Sequence, residues 1–205
     1  MSKKNSGPQS VSARVELELL RTPPRPERAD AARNRTKVLE AAAALVAEHG
    51  VAGVSMDAIA AAAGVGKGTL FRRFGDKAGL AAALLDKQER QLQDRIIFGE
   101  PPLGPGAEPA QRLLAFFDAY LDYVFAHLDL VRMSETAGPG ARYRIGAYRF
   151  WHRHVTILTS DPVLAHTLLA PLGAEHLTAA LTEHDEKATR RAILSVLQAV
   201  AAPTT

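Results

Sequence analysis

Between Gly66 and Lys77 the sequence reads GKGTLFRRFGDK, and its polar groups are of the kind that grip nucleic acid. Lys67, Thr69, Arg72 and Arg73 offer an ammonium, a hydroxyl and two guanidinium groups. Phosphate oxygens and base edges accept from such donors. Gly66 and Gly68 leave backbone N–H groups near the start of a helix open to a phosphate or a base edge. Lys77, in the first turn of the next helix, can hold a phosphate on the flank. The bland alternative is a helical hairpin with a solvated basic end. Other chemistries find less material. Cysteine is absent, which excludes disulfides, thiol catalysis and cysteine–zinc sites. His152 and His154 are two apart, so on a helix they face different ways and do not share a metal. His166, His176 and His184 have no ligand-type partner at i+4. No nucleophile elbow, phosphate loop or HExxH spacing occurs. The chain is therefore expected to be no enzyme, with no catalytic residue, no metal and no cofactor.

The elements needed to present that basic stretch can be read from the residues around it. Two short helices crossing steeply demand particular residue types at fixed offsets. Ser55 is an N-cap for a helix over Met56–Ala63, and Gly64 stands where the turn needs an unhindered backbone. Ala60 is small where the helices must approach, and Ile59, Val65 and Leu70 are apolar where a small core must fill. A second helix spans about Lys67–Phe74 and stops at Gly75. Before the pair, Val38, Ala42, Leu45, Val46 and His49 repeat at helical spacing up to Gly50, a C′ glycine. After it, Asp76 caps a helix reaching about Phe98. At 1.5 Å per residue that helix is about 34 Å long, enough to bridge two domains.

The rest of the chain predicts an all-α protein of about nine helices. Residues 1–29, polar and punctuated by Pro8, Pro23, Pro24 and Pro26, predict a disordered basic arm carrying Arg14, Arg21, Arg25 and Arg28. A helix-turn-helix DNA-binding domain is expected over 30–75, and an effector-binding and dimerisation domain over 76–205. Gly99–Pro109 is a connecting loop. Beyond it, helices are expected after Pro109, over Leu130–Glu135, over Ala141–Thr159, and from Pro162 to about Leu181 with a kink at Pro171. A capping box at Thr182–Asp185 would open a last helix ending before Pro203. Net charge is +3 overall, but +5 through Gly75 and −2 over the remainder. A nucleic-acid module joined to a neutral one would divide charge in this way. No apolar run reaches membrane-spanning length and no secretory signal is visible, so a cytoplasmic protein is expected.

Arg33–Gly50 followed by SMDAIAAAAGVGKGTLFRRFGDKAGL resembles the DNA-binding signature of TetR-family transcriptional regulators. The resemblance is specific over about Asp30–Leu85 and architectural beyond it. It implies that Ser55, Lys67, Thr69, Phe71 and Lys77 touch phosphate or bases. Gly66 stands where the family commonly has Ser, and Arg73 where it has His, so operator sequence does not carry over. It further implies three partners: double-stranded operator DNA, a second copy of the chain, and a small-molecule effector of unknown identity. Gln88, Phe116, Tyr120, Tyr148 and Trp151 are the candidate pocket residues. Leu164, Leu168, Leu172, Ile193, Leu197 and Val200 are the candidate dimer seam. The expected function is a repressor released from its operator by that effector. The alternatives are a regulator without a ligand or an activator and, more remotely, a helical enzyme or scaffold.

Overall fold

Apolar residues at helical spacing and glycine or proline stops divide the chain into twelve α-helices and one 3-10 turn, with no strand among the described residues. The structure is a computed structural model describing residues 8–21 and 29–201. The helices are α1 (Pro8–Leu20), α2 (Ala29–Gly53), α3 (Met56–Ala62), α4 (Lys67–Phe74), α5 (Lys77–Phe98) and α6 (Pro109–Ala126). They continue as α7 (Leu128–Glu135), α8 (Ala141–Arg144), α9 (Gly146–Thr159), α10 (Pro162–Leu169), α11 (Ala174–Glu183) and α12 (Glu186–Ala201). No helix among the described residues is long and apolar enough to cross a membrane. The described residues fall into two compact units. One is drawn from the described residues of 29–87 and 127–142, the other from those of 8–21, 88–126 and 143–201.

The first unit has a small core of Val38, Ala42, Val54, Met56, Ile59, Ala60, Leu70 and Leu80, with Val65 and Phe74 packed against it. Its members come from α2, α3, α4, the start of α5 and, with Val54, the link between α2 and α3. Gly50 (φ 68°) kinks α2 near its end. Gly64 turns the chain between α3 and α4 at φ 63°, a conformation that costs a side-chain-bearing residue about 1 kcal/mol or more. Asp76 receives the Gly79 N–H on its Oδ1 at 2.8 Å and so caps α5.

In the second unit α5 and α6 run antiparallel. The Tyr123 hydroxyl donates to Glu89 Oε1 at 3.0 Å, and Arg112 Nη2 donates to the Ile96 carbonyl at 3.2 Å. Helix α9 packs on α6 and on α10, while α12 packs on α6, where Arg190 bridges Asp118 and Asp122.

Four sequence expectations need correction. The supposed arm contains α1, which packs on α9 with Leu17 buried. Arg153 Nε donates to Glu16 at 3.0 Å, Arg21 pairs with Asp94 at 2.6 Å, and Arg14 lies 4.8 Å from the Phe98 ring centroid. These partners are remote in sequence, so local composition carries no sign of them. The remainder of the arm, with Arg25 and Arg28, lies outside the described residues. Pro171 does not kink a helix but ends one. Having no N–H and clashing with the carbonyl four residues back, it forces the 3-10 turn Ala170–Leu172, and α11 starts afresh. The helix expected over Ala141–Thr159 is broken at the extended Ile145 (ψ 135°). Finally, no capping box opens α12. Asp185 Oδ1 accepts from the Ala188 N–H at 2.6 Å, while the Thr182 hydroxyl turns back to the Ala179 carbonyl inside α11.

Gly79 lets α5 begin against the end of α4. A Cβ at residue 79 would sit 1.9 Å from the Phe74 carbonyl oxygen, which is backbone and has nowhere to go. Gly79→Ala should therefore cost about 1–3 kcal/mol in chemical denaturation, whereas Gly68→Ala, whose Cβ meets nothing within 4 Å, should leave stability equal or higher.

Candidate functional site

The basic surface is built on α3 and α4. Ser55 caps α3, its Oγ accepting from the Ala58 N–H at 3.1 Å, so its hydroxyl is engaged in shaping the helix. Ile59, Ala60 and Leu70 are buried where the two helices meet. This packing leaves Lys67, Phe71 and Arg72 exposed on α4, with Thr69 and Arg73 half-buried beside them. Phe71 is 46% exposed, unusual for so large an apolar ring and suited to contact with a sugar or a thymine methyl. Gly66 and Gly68 present open backbone, since a Cβ on either meets nothing within 4 Å. Lys77 is half-buried and points back toward α2, its Nζ 3.5 Å from the Ala52 carbonyl.

One carboxylate tempers this surface. Lys67 Nζ lies 2.5 Å from Asp57 Oδ2 across the turn. The pair is exposed, so it is worth little to stability and the ammonium can exchange Asp57 for a phosphate.

The pocket candidates do not all come together. Phe116 and Tyr120 on α6 and Trp151 on α9 form one buried cluster, with ring centroids 5.7–5.9 Å apart. Tyr148 faces elsewhere. Its hydroxyl is 2.7 Å from His166 Nδ1, and Tyr143 and His152 complete a second ring cluster between α9 and α10. Here His152 and His166, which share no sequence spacing, approach to 3.9 Å between ring centroids. Gln88 is half-buried, and its Oε1 has no hydrogen-bond partner among the described residues.

Sequence reasoning missed a residue packed against the first cluster. His154 is wholly buried, its ring 5.0 Å from that of Phe116, and neither ring nitrogen has a partner among the described residues. Burial, helped by the nearby Arg112 charge, pushes its pKa down to about 3, so the ring is neutral. The available signal was a histidine three residues after Trp151, on the apolar face of α9.

The dimer-seam candidates are largely spent inside the chain. Leu168, Leu172, Ile193 and Leu197 are buried, and Leu164 is half-buried. Val200 is exposed, as is Val196 one turn before it. The apolar breadth of these helices therefore serves mainly the chain's own core, and the surface it leaves open is smaller than the leucine repeat suggests.

The profile of bacterial regulatory proteins, tetR family, matches residues 38–84, the span of α2 to α5 that carries this site. Among curated proteins, an HTH-type transcriptional repressor of Streptomyces coelicolor is 32% identical over 99 residues, 48% of this chain and 46% of that protein. An HTH-type transcriptional regulator of Staphylococcus aureus is 42% identical over 74 residues, 33% of this chain and 40% of that protein. The chain thus spans less than half the length of these curated relatives. Solved TetR-family structures share the fold. One from Pectobacterium atrosepticum has a TM-score of 0.58 at 22% identity, covering 85% of this chain and 95% of that one. Another, from Rhodococcus, has 0.56 at 20%, covering 83% and 100%.

His154 generates a pH prediction. Its folded pKa lies below the value of 6.5 for a free imidazole, so between pH 6.5 and about 3 the unfolded chain holds a proton that the folded one refuses. Stability should be full above pH 6.5 and fall below it, by up to about 1.4 kcal/mol per pH unit. His154→Phe should lose this component of the slope in urea titrations at pH 7 and pH 5. It should also melt higher, because an unpartnered buried polar ring costs about 1–3 kcal/mol. An identical slope in both proteins would contradict the assignment.

Proposed function

We propose that the chain is a regulator of the TetR family, whose model matches residues 38–84, and that it is a sequence-specific DNA-binding transcriptional regulator. In detail it is a repressor that leaves its operator when a small molecule binds. The observation that carries this reading is the α3–α4 pair, with Lys67, Phe71 and Arg72 exposed on a helix whose opposite side is anchored by Leu70. Such a helix enters the major groove. Arg72 and Arg73 supply guanidinium forks for guanine edges or phosphate, Thr69 a hydroxyl, and Lys67 and Lys77 point charges for the backbone. The interior aromatic cluster supplies an apolar site for the effector. Coupling between effector and operator requires that the effector prefer one of two states, by about 1–3 kcal/mol in such systems.

The protein acts as a homodimer in this reading, because one helix-turn-helix reads only half a site and pairing supplies the second. Val196 and Val200, exposed one turn apart on α12, are the apolar contact it offers a second copy.

Two outcomes follow. Lys67→Ala, Thr69→Ala and Arg73→Ala should each weaken operator binding in gel retardation, by about 1–3 kcal/mol where a base contact is lost, with melting unchanged. Undiminished affinity in all three would remove α4 as the recognition helix. In sedimentation the wild type should be a dimer at micromolar concentration, and the double variant Val196→Glu, Val200→Glu a folded monomer that retards DNA poorly. Leu197→Glu does not serve this purpose, since Leu197 is buried and the variant would unfold. A monomeric wild type would end the two-half-site mechanism.

A further inference from the structure

Lys67 opens α4 between two glycines, and the backbone on either side of it is accessible. A Cβ at Gly66 or Gly68 would meet nothing within 4 Å, so a phosphate can approach this corner without a collision. What the ammonium meets in the structure, however, is a carboxylate. Asp57, in the first turn of α3, places its Oδ2 2.5 Å from Lys67 Nζ across the turn. The side chains are 66% and 58% exposed, so the contact stands in water.

The fold does not call for this pair. The Ser55 hydroxyl already caps α3 by accepting the Ala58 N–H, and buried Ile59, Ala60 and Leu70 hold the crossing of α3 with α4. An exposed ion pair adds little to such packing. An acidic residue in the first turn suits the helix dipole, but that role needs no contact with Lys67. On a surface that meets phosphate, a carboxylate also has the wrong sign. It repels the backbone, and by pairing it cancels the charge of a cation that stands ready for DNA.

Carboxylate and phosphate oxygens accept from the same ammonium donors. Lys67 therefore reaches DNA by exchange, leaving one anion for another. Binding gains only the difference between two ion pairs, and the carboxylate left behind faces the phosphate that displaced it. We propose that Asp57 is an affinity-setting residue, an internal stand-in for phosphate that Lys67 must leave before it grips the DNA backbone. This rests on the reading of α4 as the DNA-contacting helix and adds the residue that limits its hold. Because the contact is to phosphate, the limit applies to every sequence alike. It also flattens the salt response, since one ammonium arrives already neutralised. A regulator that must leave its operator on demand is served by such a limit.

Fluorescence anisotropy with two labelled duplexes, the DNA flanking the chain's own gene and an unrelated sequence of equal length, tests this between about 50 and 200 mM salt. Asp57→Asn should tighten binding of both duplexes by the same factor, about two- to fivefold at the lowest salt, the range of one exposed ion pair. The plot of log affinity against log salt should steepen by up to about one. In a Lys67→Ala background the same substitution should gain less, because no ammonium remains to be freed. Asp57→Ala, with folding checked by circular dichroism, serves if the asparagine variant does not fold. Weaker binding by the Asp57 variants would instead make Asp57 a group that holds Lys67 onto DNA, and would overturn the proposal. So would unchanged affinity and slope, or a gain that is equal with and without Lys67. A wild type that binds both duplexes while the variants match it removes this role alone. A wild type that binds neither removes the DNA-reading assignment of α4, and this role with it.

Discussion

The contact on which the first unit depends is the close approach of α3, α4 and the start of α5. Ile59 and Leu70 fill the crossing, Ala60 keeps it narrow, and Gly64 lets the chain reverse between the helices. Gly79 then permits α5 to begin against the Phe74 carbonyl, where any side chain would collide. These constraints leave α4 one way to lie, with Leu70 inward and Lys67, Phe71 and Arg72 outward. The position of the functional side chains is thus a consequence of packing on their opposite side. The Lys67–Asp57 pair across the same turn is a weaker, exchangeable restraint, suited to a group that must meet phosphate.

This half of the molecule was legible in the sequence because its determinants are local. A serine cap, a positive-φ glycine and an apolar residue every third or fourth position act within one or two turns, and the α3, α4 and α5 boundaries fall where those signals stand. The supposed arm shows the opposite case. The short apolar stretch near Val15–Leu20 does not tell that it docks on α9, because Arg153 and Phe98, which meet Glu16 and Arg14, lie far along the chain. Pro171 marks a disturbance in the sequence, but whether proline bends or ends a helix depends on its neighbours' packing. The buried Leu172 turn shows which outcome prevailed.

Candidate residues of the second unit divide along the same line. Phe116, Tyr120 and Trp151 were visible as an aromatic stripe, and they do meet. Tyr148, on the same helix as Trp151, joins a different cluster, because position along α9 decides which neighbour each ring finds. The leucines of α10 and α12 look like an interface in sequence and are mainly interior, since periodicity reports an apolar face without saying what covers it. His154 carried no motif. Its interest comes from a tertiary fact, complete burial with neither ring nitrogen partnered among the described residues.

The central claim is that this chain reads DNA through α4 as a paired molecule. Nuclease footprinting on the DNA flanking its own gene tests this most directly. The account predicts two protected half-sites on one face of the duplex, centred about 34–36 Å or a whole multiple of that apart, and their loss on substituting Lys67, Thr69 and Arg73 together. Protection of that flanking DNA that is uniform and vanishes with modest salt, or no protection there even at low salt, would contradict it.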